Sequence, residues 1–350
     1  MSDIKNYAVV TASYWGFTVT DGALRMLVLL HFHALGYKPL DLAYLFLLYE
    51  LMGVFTNFFG GWIGARFGLR LTLFSGLGVQ VVSLVMLAAM PPGMAAAASV
   101  FYVMAAQALS GIAKDLTKMS SKSAVKLLAP EDGRGLLFKW IAVLTGSKNA
   151  LKGVGFFVGG FLLHALGFSH ALYAMAGALL CVLLAALWYL QADLGKAKTK
   201  IRGRDLFAKS REINFLSAAR IFLFASRDVW FVVGLPVFLS DAGWSFEEIG
   251  GFMAFWVVGY GIIQAGAPKL LRGIHGSEAA ARAAKIALNV GFYYMANAVG
   301  RLLGTLLSGL VYQYYGLVAC LVTASAMVLA ATFLVMPLHT SGRLAQKREG

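Results

Sequence analysis

The chain alternates long apolar stretches with short polar ones, and this pattern predicts its secondary structure. Each apolar stretch is long enough to cross a hydrocarbon core as a helix, which takes about 20 residues. A membrane-spanning strand needs only about 10 residues of alternating polarity, so the pattern indicates helices. The ten predicted segments lie near 8–35, 41–63, 71–91, 96–118, 136–165, 171–191, 213–240, 246–268, 287–312 and 316–338.

Composition agrees with a membrane protein. The 350 residues are 59% hydrophobic and only 13% charged, and their mean hydropathy is +0.74. A soluble domain has about 25% charged residues. The first apolar stretch carries Asp21 and Arg25 and continues too far for a cleavable signal peptide. The sequence therefore predicts an all-α, multi-pass membrane protein.

Lysine and arginine are distributed unevenly among the loops. The loops after segments 2, 4, 6 and 8 hold 16 of them, whereas the loops after the odd-numbered segments hold one, Lys38. Because basic loops remain on the cytoplasmic side of a membrane, both termini are predicted to be cytoplasmic. The net charge of +14 then reflects topology, and a nucleic-acid partner is not needed to explain it.

Nine basic residues remain inside the predicted segments, against four acids. Each charge at the centre of a spanning helix costs about 2.5–3.5 kcal/mol on insertion scales, so it usually faces a partner or a watery cavity. Lys118 and Lys139 lie near the cytoplasmic boundary, where a long side chain can reach the interface. The remaining seven still outnumber the acids, and an anion is the simplest missing partner. The basic residues are Arg25, Lys114, Lys118, Lys139, Lys148, Lys152, Arg220, Arg227 and Arg301, and the acids are Asp21, Glu50, Asp115 and Asp228.

The buried basic residues predict a binding site for an anion. Lys148 and Lys152 are one helical turn apart and share a face. Arginine can bind a carboxylate or phosphate through two parallel hydrogen bonds. We expect the substrate to be bound by Lys148, Lys152, Arg227 and Arg301, with Arg220 and Lys114 in support.

Structural ion pairs are the alternative for several of these charges. Asp21 and Arg25 are one turn apart and can neutralise each other, and the two lysines can pair with buried acids. Lys122 and Lys126 are interpreted as ordinary residues of a cytoplasmic end. The candidates for carrying a coupling proton are Asp21, Glu50 and Asp228, among which the sequence does not distinguish.

Two regions of the chain repeat in its second part. Residues 14–37 align with 221–244, which places Asp21 on Asp228, Gly36 on Gly243 and Tyr37 on Trp244. Residues 151–167 align with 300–316, which places Lys152 on Arg301, Gly155 on Gly304 and Gly167 on Gly316.

The two alignments differ in offset by 58 residues, the length of a helical hairpin. This hairpin is expected to be missing from the second half at about 270–286, which leaves six helices followed by four. The predicted organisation is a six-helix half, a cytoplasmic linker, a shortened four-helix half and a cytoplasmic tail. Their bounds are 1–191, 192–212, 213–340 and 341–350.

Two helical halves related as parallel repeats are typical of the major facilitator superfamily, whose substrate site lies near the midplane between them. The loop GGWIGARFGLRLTL (60–73) resembles the superfamily's Gly-x-x-x-Asp-Arg-x-Gly-Arg gating loop, with Ala65 in place of the Asp. The resemblance implies that helices 1, 4, 7 and 10 line a cavity, with 5 and 11 beside it. The buried basic residues lie on the counterparts of helices 1, 4, 5, 7 and 11. The loop residues that match are Gly61, Arg66, Gly68 and Arg70.

Other classes of function have little support in the sequence. Cys181 and Cys320 are isolated, whereas a soft metal or arsenite needs clustered thiolates. The chain has no G-x-x-x-x-G-K-[ST] loop for ATP. An enzyme active site would need a nucleophile, a base or a metal cluster, and the basic residues have no such companions. No enzyme activity, metal site or cofactor is predicted.

The chain also resembles the organoarsenical efflux permeases (ArsJ) of bacterial arsenic-resistance operons. The resemblance is carried by TDGALRMLVLLHFHALGY, MAAQALSGIAKDLTKMSSKSAVKLL, LTGSKNALKGVGFF, LSAARIFLFASRDVWFVVGLPV and NVGFYYMANAVGRLLGT. It implies an exporter in the bacterial inner membrane whose substrate is 1-arseno-3-phosphoglycerate. A glyceraldehyde-3-phosphate dehydrogenase supplies this substrate when arsenate replaces phosphate.

The missing hairpin keeps two alternatives open. A chain without the counterparts of helices 9 and 10 can be a relative that binds an anion without moving it. It can also be an exporter of another phosphorylated metabolite.

Overall fold

The computed structural model describes residues 2–128, 134–190, 211–270 and 290–346. Within these ranges the chain forms α-helices joined by short turns, without a β-strand. The all-α fold class is therefore confirmed. The helices are α1 (Ser2–Ala34), α2 (Pro39–Leu45), α3 (Leu47–Phe67), α4 (Leu69–Ala88), α5 (Ala96–Leu128), α6 (Arg134–Leu166), α7 (Phe168–Tyr189), α8 (Arg211–Phe231), α9 (Gly234–Asp241), α10 (Phe246–Leu270) and α11 (Val290–Gln346).

Each of the ten predicted segments is helical over the residues that the structure describes. Segment 2 consists of α2 and α3, and segment 7 consists of α8 and α9. Segments 9 and 10 together form α11, which Gly316 interrupts with a non-helical backbone. Eight stretches of the described residues are long and apolar enough to cross a membrane, and the last of them, Met295–Met336, has 42 residues and contains this interruption. A length of 42 residues corresponds to two crossings of about 20 residues each.

The predicted linker and the predicted gap both fall on residues that the structure does not describe. The linker at 192–212 lies almost entirely in 191–210, and the missing hairpin near 270–286 lies in 271–289. The division of the chain into halves of six and four helices stays a prediction.

Glycines that the repeats align adopt the same backbone conformation. Gly36 follows α1 with φ 85°, and Gly243 follows α9 with φ 86°. Each donates its amide hydrogen to a carbonyl three residues earlier, at 2.8 Å for Gly36 and 3.0 Å for Gly243. Gly167 and Gly316, also aligned, have φ 72° and 75°. Positive φ is the conformation that glycine adopts without a steric penalty, so the repeat extends from the sequence to the backbone.

Equivalent helix crossings form the centre of each half. In the first half α1 packs on α6, and in the second α8 packs on α11. A Cβ atom on Gly155 would lie 2.5 Å from the carbonyl oxygen of Val19 in α1. A Cβ atom on Gly304, which aligns with Gly155, would lie 2.8 Å from the carbonyl oxygen of Ala225 in α8. Small residues allow helices in membranes to approach this closely, and the first crossing holds Lys152 one turn from the contact.

The halves meet along two seams. One seam is formed by α6 and α10, and the other by α11 with α2 and α3. A Cβ atom on Gly250 of α10 would lie 2.8 Å from the carbonyl oxygen of Phe156 in α6. The space between the seams is the location expected for a central cavity.

Replacing Gly155 by Ala is expected to destabilise the protein, because the new methyl group would overlap the backbone of α1. Overpacking of this kind costs about 1–3 kcal/mol, and the melting temperature of the purified protein in detergent should fall. Gly177→Ala is the matched control, since Gly177 lies inside α7 and a Cβ atom added there would meet no neighbouring side chain or helix within 4 Å. Its melting temperature should be unchanged or slightly raised, because Ala favours a helix over Gly. Equal melting temperatures of the two variants would contradict the close crossing.

Candidate functional site

A cavity of about 330 Å³ lies between the two seams. Pockets that bind small molecules measure about 300–1,000 Å³, so its size suits a small metabolite. Nine basic side chains and three acidic ones line it. The basic residues are Arg25, Lys114, Lys118, Lys122, Lys148, Lys152, Arg220, Arg227 and Arg301, and the acids are Glu50, Asp115 and Asp228.

The cavity extends from the middle of the bundle toward the end at which α5 stops and α6 begins. Its lining runs along α5 from Lys114 to Lys122 and along α6 from Phe156 back to Lys148. The N-terminus of α1 lies at the same end, because each intervening segment reverses the chain direction.

Contacts between the halves close the opposite end of the bundle. The Nε2 atom of His33 lies 3.1 Å from Oδ1 of Asp241, whose Oδ2 accepts a hydrogen bond at 3.2 Å from the hydroxyl of Tyr312 within the second half. The backbone amide of Leu40 donates to Oε1 of Gln313 at 3.1 Å. The cavity is therefore bounded on this side by polar links from α1 and α2 to α9 and α11.

Glu50 is the acid with the most partners in the cavity. Its side chain, 0% exposed, comes from the first turn of α3. Its Oε1 atom accepts hydrogen bonds from Arg25 at 2.5 Å and from Arg301 at 2.8 Å. The Nζ atom of Lys114 lies 3.8 Å from its Oε2 atom. Since Arg301 belongs to the second half, this carboxylate joins the halves electrostatically.

Asp228 extends the same network in the second half. The Nη2 atom of Arg227 lies 2.5 Å from its Oδ1 atom, and the Nε atom of Arg301 lies 3.4 Å from its Oδ2 atom. Arg301 thus lies between Glu50 and Asp228, one acid from each half.

Asp21 and Arg25 do not form the ion pair that their spacing allowed. Asp21 instead accepts a hydrogen bond from the hydroxyl of Tyr49 at 2.5 Å and lies 3.4 Å from the Nζ atom of Lys152. Arg25 instead pairs with Glu50 of α3, whose buried carboxylate lies within hydrogen-bond distance of its guanidinium. Of the two lysines that share a face of α6, Lys152 is therefore paired.

Lys148 differs from Lys152 in having no acidic partner among the described residues. It is partly buried and lines the cavity. It shares this lining with other basic residues, among them Lys118, Lys122, Lys152 and Arg301. A charged lysine among other cations in a low-dielectric interior is costly unless an anion joins it or the amine gives up its proton.

Three lysines of α5 form a stripe along the cavity. Lys114, Lys118 and Lys122 all line it, at the i, i+4, i+8 spacing that defines one helix face. The sequence places Lys118 and Lys122 near a cytoplasmic end and gives them no part in the site, and the structure adds that their side chains line the cavity. Lys118 pairs with Asp115 and donates to Oδ1 of Asn57 at 2.7 Å.

Arg220 also lines the cavity and donates from Nε to Oδ1 of Asn297 at 2.6 Å. All six predicted binding residues thus face one space. Sequence reasoning missed the amides Asn57, Asn149 and Asn297 and the aromatic rings that complete the lining, because neither type is unusual inside a membrane helix.

The predicted gating loop lies apart from the cavity lining, where α3 turns into α4. Gly61 is within α3, and Gly68 forms the turn with φ 81°. The guanidinium of Arg66 lies 6.0 Å from the ring centre of Phe67, and that of Arg70 lies 5.4 Å from the ring centre of Phe74. The gating role of this loop stays a prediction.

The architecture agrees with the comparison to known families. The family model of the Major Facilitator Superfamily matches residues 8–281. The chain belongs to this superfamily. No curated protein matches it.

Solved structures share the superfamily fold at low sequence identity. A bacterial homologue of the human drug peptide transporters PepT1 and PepT2 has a TM-score of 0.69 and 12% identity, over 98% of this chain and 100% of that one. A structure of proton dependent oligopeptide transporters has a TM-score of 0.68 and 13% identity, over 98% and 100%. A POT family transporter in complex with a thioalcohol conjugated peptide has a TM-score of 0.65 and 10% identity, over 94% of each chain. At identities this low, the likeness shows a shared fold and nothing about the substrate. The resemblance to organoarsenical permeases stays a prediction.

The location of the cavity agrees with that of superfamily members, whose substrates bind between the halves near the midplane. No group of three or more His, Cys, Asp or Glu side chains suited to a metal occurs among the described residues. The lining offers positive charge with hydrogen-bond donors, which are the groups that recognise carboxylate and phosphate oxygens in proteins.

Replacing Glu50 by Gln should strongly destabilise the protein, because Arg25, Lys114 and Arg301 would lose their shared counter-charge. Removing one partner of a buried ion pair costs about 3–5 kcal/mol, and the melting temperature in detergent should fall accordingly. Glu247→Gln is the control, since Glu247 lies partly exposed in the first turn of α10, where its Oε2 atom is 3.7 Å from Nδ1 of His164. A melting temperature of Glu50→Gln equal to that of Glu247→Gln would contradict the central role of Glu50.

Proposed function

We propose that this chain is a secondary active exporter of a small organic polyanion, and that the substrate is 1-arseno-3-phosphoglycerate. It works in the bacterial inner membrane with both termini in the cytoplasm, and a glyceraldehyde-3-phosphate dehydrogenase supplies its substrate. The observation that carries the proposal is the imbalance of charge in the cavity. Nine basic side chains face three acidic ones there, and Lys148 has no acidic partner among the described residues.

Ion pairing divides the basic residues into two groups with different roles. Arg25, Arg227 and Arg301 touch carboxylates of the protein and form a preorganised cationic surface. Lys148 lies beyond this network and is the side chain with most to gain from an added anion. A substrate with a phosphate at one end and an arsenate at the other can contact both groups at once.

The chemistry of the substrate matches the donors that are present. Phosphate and arsenate oxygens are hard acceptors that suit lysine and arginine, whereas trivalent arsenic suits thiolates. Cys181 and Cys320 do not line the cavity. The solved peptide transporters resemble this chain in fold alone, so peptide transport is not proposed for it.

Alternating access follows from the closed and open ends of the bundle. The charge of the loops places the end with the cavity on the cytoplasmic side, which makes the observed state inward-facing. Export requires the links between the halves, His33 to Asp241 and Leu40 to Gln313, to break while the cytoplasmic end closes. Each link is a single hydrogen bond with a net contribution of about 1 kcal/mol, so these links do not prevent the exchange.

The candidates for carrying a coupling proton are Asp21, Glu50 and Asp228, and each carboxylate has a cationic neighbour. The Nζ atom of Lys152 lies 3.4 Å from Oδ2 of Asp21, and the Nε atom of Arg301 lies 3.4 Å from Oδ2 of Asp228. Protonation of Glu50 would release Arg301, and with it one electrostatic link between the halves.

Arsenic efflux from cells without their own exporters tests this function. Arsenate-loaded cells that express the dehydrogenase together with this chain should release arsenic, and the release should require both proteins. Arg301→Ala and Lys148→Ala should each lower the rate at least about 10-fold, because one charge-assisted hydrogen bond contributes about 1.5–3 kcal/mol. Lys38→Ala is the control, since Lys38 is exposed in the turn before α2.

Unchanged efflux in both cavity variants, at equal amounts of protein in the membrane, would contradict the anion site. Absence of efflux by the unmodified chain, with the anion still binding to the purified protein, would favour the alternative of a protein that binds without transport.

A further inference from the structure

The cavity has an aromatic wall that the binding of a small polyanion does not use. It lies on α10, whose residues Met253, Trp256, Val257 and Tyr260 line the cavity. Their spacing of i, i+3, i+4 and i+7 is that of one helix face. The wall consists of Trp256 and Tyr260, with Phe231 of α8 beside them.

The rings of the wall pack against one another. Trp256 and Tyr260 stack with ring centres 5.7 Å apart and planes 2° from parallel. Phe231 lies 4.7 Å from Trp256 at a tilt of 37°, and Trp230 meets Trp256 edge-on at 5.4 Å. Trp256 is therefore braced by two rings from α8, while Tyr260 remains 41% exposed. A braced and partly uncovered aromatic surface is suited to stacking with a planar group.

Cations lie next to aromatic rings in the same cavity. The guanidinium groups of Arg220 and Arg227 lie 5.4 Å and 5.8 Å from the ring centre of Phe224. All three side chains line the cavity together with Trp256. One ligand can therefore place a charged group among the arginines and a flat apolar group against α10.

Membrane packing alone explains aromatic residues on the other face of α10 but not on this one. Phe255, next to Trp256, is 79% exposed on the outer surface of the bundle, where lipid is the expected neighbour. Trp256 and Tyr260 instead line a space bordered by nine basic side chains. Contact with lipid therefore does not account for their aromatic rings. This is the arrangement of ligand pockets in general, which combine apolar walls with a few placed polar groups.

We propose that the wall formed by Trp256 and Tyr260 is a second subsite, which binds an aryl group carried by an oxyanion. The cavity then accepts aryl phosphonates and aryl arsonates in addition to the three-carbon polyanion. This inference rests on the proposed function, whose cationic site binds the charged end of the ligand. It adds a preference for oxyanions that carry an aryl group over those that do not.

Binding of phenylphosphonate and methylphosphonate to the purified full chain in lipid nanodiscs tests the subsite, with titration calorimetry as the measurement. Both probes carry the same anionic group, so the difference between their dissociation constants isolates the ring. Phenylphosphonate should bind about 3- to 10-fold more tightly, as expected for one aromatic contact. Trp256→Leu should remove this preference while leaving the affinity for methylphosphonate unchanged.

Further variants make the result independent of folding defects. Trp256→Phe should retain most of the preference, and Tyr260→Leu, at a more exposed position, should reduce it. Phe255→Leu is the matched control on the outer face and should behave as the unmodified chain. Equal affinities for the two probes in the unmodified chain, or a preference that survives in both Trp256→Leu and Tyr260→Leu, would overturn the subsite.

The same titration separates failure of the subsite from failure of the anion site. Equal and measurable binding of both probes, weakened by Arg301→Ala, would leave the cationic site standing without the aromatic one. Phenylphosphonate binding that is unaffected by Arg301→Ala and Lys148→Ala but lost in Trp256→Leu would support the aromatic subsite and contradict the cationic one. Binding of neither probe would overturn both.

Discussion

The carboxylate of Glu50 holds the centre of the molecule together. It is fully buried, and it accepts hydrogen bonds from Arg25 of its own half and from Arg301 of the other. Each of these arginines would be costly in a membrane interior without a counter-charge, so one acid makes two buried cations tolerable. Because the contact spans the two halves, it also couples the charge state of the cavity to their relative position.

The remaining positive charge in the cavity is what a transporter for anions requires. A fully neutralised network would be a stable ion-pair core with no reason to bind a ligand. The cavity is not neutral in this sense, because nine basic side chains line it with three acidic ones and Lys148 has no acidic partner among the described residues. Under the proposed function, an anion bound beside Lys148 would relieve the repulsion among these cations.

Glycine is the second constraint on which the cavity depends. Gly155 and Gly304 occupy aligned positions and allow α6 and α11 to lie against the backbones of α1 and α8. The basic residues three positions before them, Lys152 and Arg301, are thereby presented to the cavity at equivalent places in the two halves. Both halves therefore contain the same arrangement, in which a basic residue lies about one helical turn from a close helix crossing.

The helices and the identity of the charged set follow from the sequence, whereas several helix ends do not, since α5 continues to Leu128 beyond its predicted end near 118. Long apolar runs permit only helices in a membrane, and the aligned glycines Gly36 and Gly243 have the same backbone conformation because the local requirement is the same. Buried charges stand out against an apolar background, so all six predicted binding residues line the cavity. Tertiary structure alone decided the partners. Asp21 pairs with Lys152 rather than with Arg25, Lys118 and Lys122 reach the cavity, and Trp256 faces it while Phe255 faces outward. Spacing along a helix defines which residues share a face, but only the packing of the helices around it decides what that face meets.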